Sequence, residues 1–68
     1  MANIAKVIRV IGQSPTTFAE AAQVAVQEAA QTVRDIHGAH VIEMSAIVEN
    51  DRITMFRTTV DIAFGVER

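Results

Sequence analysis

Apolar and polar residues alternate with two different periods along the chain, and the change of period marks out four elements. Ile4 to Ile11 is dense in β-branched residues and closes on Gly12, Gln13, Ser14 and Pro15, a strand pattern that runs into turn chemistry. From Phe18 onward the apolar residues Phe18, Ala22, Ala25, Val26, Ala29, Val33 and Ile36 recur at spacings of three and four, while Glu20, Gln23, Gln27, Gln31 and Arg34 fill the opposite stripe. That is an amphipathic helix. Two starts compete: Ser14 ahead of Pro15, or Thr17 with Glu20 three residues on as a capping box. Gly38 is the expected stop, with Arg34 and His37 placing cations near the negative pole, so the helix is expected to end near Ile36. Its many alanines leave a thin face, which requires the covering sheet to approach closely.

His40 to Glu49 and Arg52 to Phe64 are two long strand patterns separated by Asn50 and Asp51, and they read as a hairpin. Loop length decides which side chains share a face. A two-residue loop sets Val48 opposite Ile53 and Met44 opposite Arg57, which places Arg57 among apolar neighbours and Glu43 beside Phe56, Val60 and Ile62. A three-residue loop, Asn50 to Arg52, gathers Ile42, Met44, Ala46, Val48, Phe56, Val60, Ile62 and Phe64 on one face. It leaves Val41, Glu43, Ser45, Ile47, Met55, Arg57, Thr59 and Asp61 on the other. The second register separates the classes better and is the expected one.

The result is an α+β subunit of order β-α-β-β, with a three-stranded antiparallel sheet and one helix over its apolar face. One helix cannot cover both faces. The other face mixes Val41, Ile47 and Met55 with an arginine and two carboxylates, as subunit interfaces and interfacial pockets do.

Composition sharpens this picture. Residues 1–68 have room for a single small domain, and the chain has no Cys for disulfide staples. Domains below about 70 to 80 residues that lack staples usually rely on a metal, idealised packing or association. Association is the expectation here. Six basic against eight acidic residues, a net charge of −2 and three aromatics argue against a nucleic-acid partner. No apolar run approaches the roughly 18 residues of a membrane span, and the N-terminal MANIAKVIRV lacks the layout of a secretory signal, so a cytoplasmic protein with no membrane partner is expected.

No nucleophile motif, phosphate loop or zinc pattern is present, so no enzyme is expected and no catalytic residue is assigned. His37 and His40 straddle the helix stop and the next strand, and read as a helix-end cation and a surface residue. Glu43, Arg57 and Asp61 form either a cross-strand ion-pair network or a polar wall suited to an anionic or carbonyl-bearing ligand. Calcium needs about six to eight oxygens. Glu43, Glu49, Asp51 and Asp61 could supply them only by converging from several subunits, and Arg57 would repel the ion.

The stretches LysValIleArgValIleGlyGlnSerPro, GluAlaAla with AlaAlaGlnThrVal, ValIleGlu, and PheArgThrThrValAspIleAlaPhe, taken in order, resemble the dodecin family across nearly the whole chain. The resemblance implies a sheet wrapped around one helix and a hollow homododecamer of cubic 23 symmetry. It also implies flavin storage, the isoalloxazine stacked on a tryptophan and met at its polar edge by a glutamine. The tryptophan position falls here on Gly38, the glutamine position on Arg57, and the acidic pocket residue on Glu43; Ser45 completes the pocket equivalents. Each lost aromatic stack removes about 1 to 3 kcal/mol, roughly tenfold to a hundredfold in affinity. The usual site for FMN or riboflavin therefore reads as degraded. SerProThrThrPhe, ValIleGlu and the arginine at the glutamine position are similar to the calcium dodecin branch, which lacks that tryptophan. The expectation is a non-enzymatic shell that sequesters a small ligand or ion, foremost calcium, with Glu43 and Asp61 as its candidate ligands. Its rivals are a flavin-binding shell using Met55 and Arg57, and a purely structural or interaction protein.

Overall fold

A computed structural model describes residues 4–66, which form strand β1 (Ile4–Ser14), helix α1 (Phe18–Ala29), strand β2 (Ile36–Glu49) and strand β3 (Arg52–Val66). Both β1 and β2 pair antiparallel with β3, so the sheet order is β1-β3-β2. The central position of β3 is recorded in its side chains. Thr58, Val60 and Ile62 are buried towards α1, and the alternate residues are half-buried on the outer face.

Thr17 is the N-cap, its hydroxyl accepting the Glu20 amide at 2.9 Å, so the capping-box start is the one used. Ser14, almost fully buried, and Thr16 both donate to the Glu20 carboxylate, and Ser14 Oγ also accepts the Thr16 amide at 3.1 Å. Thr58 closes the same corner by donating to the Phe18 carbonyl at 2.9 Å, with the Phe18 and Phe56 rings edge to face, centroids 4.8 Å apart. The thin alanine face does bring the sheet close. Ala21, Ala25 and Ala29 are buried, and a Cβ at Gly12 would sit 1.9 Å from the Ala21 carbonyl oxygen. Gly12 is what lets β1 lie against the helix backbone.

The helix ends at Ala29, not near Ile36. Amides of Gln31 and Thr32 turn back three residues to Glu28 and Ala29, a tightened last turn, and Asp35 takes a left-handed φ of 61° before β2 begins. Gly38 has no positive φ and lies within β2, so it stops nothing, and Arg34 and His37 are beyond the last helical turn. The three-and-four spacing persists past Ala29 because Val33 and Ile36 still pack on the core, one from the turn and the other from β2.

The hairpin loop has two residues, with Glu49 paired to Arg52, rather than the expected three. A register shift between Ile47 and Val48 then absorbs Thr54, and Ile47–Glu43 pair with Met55–Thr59 in the alignment that the separation of polar and apolar residues demanded. A second shift absorbs Ile42. Val41 therefore aligns with Val60, in the helix-facing layer and not on the outer face.

Helix α1 lies over β1 and β3 and barely reaches β2. Its 12 residues span about 18 Å, against a longest molecular dimension of 54 Å, so the hairpin projects well beyond it. Met44, Val48 and Ile53 are each more than half exposed as a result, and so is Val7, on the face of β1 away from the helix.

Candidate functional site

Four cross-strand rows make up the outer face: Gln13–Arg57–Ser45, Ile11–Thr59–Glu43, Arg9–Asp61–His40 and Val7–Ala63–Gly38. Each row takes its middle residue from β3. All of Gly38, Glu43, Ser45, Arg57 and Asp61 belong to this one face. Ser45 and Arg57 are direct partners, and Glu43 is one row away. Gly38 is three rows from Arg57, about 20 Å along the strand, so one chain does not bring those two positions together.

Asp61 finds its partner on β1. Arg9 Nε donates to Asp61 Oδ1 at 2.7 Å and Arg9 Nη2 to Oδ2 at 3.0 Å, a two-point fork across neighbouring strands. Hydrogen bonding from Arg9 holds the Asp61 carboxyl below its ordinary range, aided by the charges of Arg9 and His40 and opposed by burial. The network expected among Glu43, Arg57 and Asp61 is replaced by this pair. The sequence held half of the signal: alternation groups Val7, Arg9, Ile11 and Gln13 on one side of β1, but only the strand order β1-β3-β2 sets Arg9 beside Asp61. The Nε of Arg57 is buried without a hydrogen-bond partner.

A calcium ion can be tested against these groups. Both Asp61 oxygens are taken by Arg9, and among the described residues no three His, Cys, Asp or Glu side chains converge. With about six to eight oxygens needed, the residues of a single chain do not fit the ion. Gly38, which the resemblance equates with a stacking tryptophan, presents an open backbone. A Cβ at Gly38 would meet only the Ala63 Cβ, at 3.7 Å, so the backbone does not demand glycine there. All three aromatic residues of the chain are phenylalanines. Phe18 is on the helix, and the register puts Phe56 and Phe64 in the helix-facing layer.

Fold and face together define a small β-α-β-β protein whose candidate site is the polar outer face of its sheet. A family model described as dodecin matches residues 4–67, and the chain belongs to the dodecin family. It is 39% identical over 62 residues to the calcium dodecin of Mycobacterium tuberculosis, covering 91% of this chain and 87% of that one. The crystal structure of that organism's calcium dodecin, a calcium-chelating antigen described as having a novel calcium-binding site, matches with a TM-score of 0.80 at 40% identity, over 90% of this chain and 87% of that one. The dodecin from Streptomyces davaonensis matches over the full length of both chains with a TM-score of 0.95 at 19% identity, a likeness of fold.

Proposed function

We propose that this chain is the subunit of a non-enzymatic homododecameric shell in the cytoplasm that binds or sequesters a small ligand or ion, with calcium as its principal cargo. The observation that carries the reading is the apolar surface left bare on one subunit. Among the described residues, nine large hydrophobic side chains are exposed, Val7, Met44, Val48 and Ile53 the most, against a buried hydrophobic core of Ala21, Ala25, Val60 and Ile62 with Ala29 at its margin. Such a chain gains most of its burial from copies of itself. The 39% identity to a calcium dodecin supports calcium as the ion. Because one chain does not fit that ion, Glu43 and Asp61 would act only where several subunits converge, with Arg9 releasing its carboxylate. Size-exclusion chromatography with light scattering is expected to give a twelve-subunit mass. Calcium at a hundredfold excess over its dissociation constant stabilises by about 2.7 kcal/mol, so the melting temperature rises, and a flat calcium titration on an intact shell overturns the ion assignment.

Flavin storage is the second reading, favoured by the unpartnered Arg57 beside Ser45 and by the open backbone at Gly38. Quenching of riboflavin or FMN fluorescence by the purified shell decides for it. A purely structural shell gives neither a calcium-dependent melt nor quenching.

A further inference from the structure

Asp61, on the central strand, has a basic residue as its direct partner on either side, Arg9 on β1 and His40 on β2. The Arg9 fork engages both carboxylate oxygens, Nε on Oδ1 at 2.7 Å and Nη2 on Oδ2 at 3.0 Å. Those are the two atoms that a bidentate carboxylate offers a calcium ion. Glu43, the carboxylate of the adjoining row, makes no ion pair among the described residues. The two rows thus hold two carboxylates against two basic residues, a balance that leaves a divalent cation little net attraction. Exposure shows which side of the pair is free to move. The Arg9 side chain is 62% exposed and that of Asp61 21% exposed, so a guanidinium reaches in from solvent to a carboxylate fixed on the middle strand. Its planar fork matches carboxylate geometry where a lysine would place only a point charge.

We propose that Arg9 is the resident counter-ion of Asp61, a cation carried by the chain itself in the place a metal would take, and that it holds down the calcium affinity of the outer face. The misfit between one chain and the ion is then a property of the fork as well as of the small number of oxygens. The proposal rests on the ion-sequestering reading above and adds to it the residue that sets how much calcium the shell retains.

Isothermal titration of calcium into the assembled protein tests it, with wild type, R9Q, R9K and the double variant R9Q/D61N compared. R9Q is expected to bind calcium about tenfold more tightly than the wild type, the gain from removing a unit positive charge beside a divalent one. Its mass in light scattering is expected to stay that of the wild type, since an exposed pair adds little to stability. R9K, which keeps the charge and loses the fork, is expected to gain less, and R9Q/D61N to lose the gain altogether. Calcium affinity in R9Q equal to or below that of the wild type overturns the proposal. So does a gain that survives in R9Q/D61N, because the freed carboxylate is then not what binds. If R9Q loses the wild-type mass, R9K at that mass carries the test, and an affinity no tighter than wild type there overturns the proposal. The two readings fail separately: equally tight calcium binding by wild type and R9Q keeps the cargo and removes this inference, whereas binding by R9Q alone keeps this inference and removes calcium as the native cargo.

Discussion

At the scale of single residues, two glycines that look alike in the sequence have opposite roles. Gly12 lies against the helix backbone, where a β-carbon has no space, and Gly38 faces ordinary van der Waals distance. G12A is therefore expected to cost about 3 kcal/mol or more, the upper range of overpacking, read as a lowered denaturant midpoint or loss of the folded protein. G38A is expected to be neutral or to stabilise by up to about 1 kcal/mol in the same measurement. Acid sensitivity also belongs here. Hydroxyl donors from Ser14 and Thr16 hold the Glu20 carboxyl below its usual range, and the Arg9 fork does the same for Asp61. Both groups bind fewer protons folded than unfolded, so their stabilisation is present above the ordinary carboxylate range and is lost as pH falls through their lowered values. Melting temperatures taken from pH 7 down to pH 3 should fall, and E20Q or D61N should flatten that fall. Thr17 and Glu20 were legible as a cap because capping is a three-residue affair. The Arg9–Asp61 pair was not, because it joins residues 52 positions apart and depends on β3 lying between the other strands.

At the scale of elements, the hairpin shows how far a hydrophobic pattern reaches. The preference for apolar residues on one side identified the correct pairing of Glu43–Ile47 with Thr59–Met55, yet it did so through the wrong loop. Pattern fixes which faces match, and it is blind to whether the extra residue sits in the turn or in a bulge. Here the turn residues Asn50 and Asp51 both take left-handed φ values, 53° and 62°, the signature of a two-residue type I′ connection. Glycine suits the second of these positions better than aspartate. D51G is expected to raise stability by about 0.5 to 1 kcal/mol, the penalty of a left-handed non-glycine residue being removed, as measured by chemical denaturation. The helix end was misplaced for a related reason. Val33 and Ile36 keep the helical spacing and reach the core, while the pairing of Ile36 with Phe64 draws the backbone into β2. Periodicity reports burial, and burial has more than one backbone that can deliver it.

At the scale of the whole molecule, the exposed apolar side chains of the projecting hairpin and of β2 are the surface through which copies would associate. Met44 and Val48 are each about 60% exposed in one subunit. Full burial of such a side chain is worth about 1.5–3 kcal/mol, so the double variant M44E/V48E is expected to dissociate in light scattering and to melt well below the wild type. An unaltered mass would remove these residues from the interface. Fold class was legible from the patterning, and length and cysteine count are what raised the expectation of association. The chemistry of the outer face was legible only as residue types, since its rows are set by two bulges that leave no local mark in the sequence.

The separation of Gly38 from Arg57 has a thermodynamic consequence. If a cargo must touch both positions, no lone subunit can hold it, and each loading event also fastens protomers to one another. Cargo and quaternary structure then share one equilibrium: diluting the protein empties it, and saturating it makes it resist dilution. Sedimentation at falling protein concentration, with and without cargo, would show the two dissociation midpoints drawing apart.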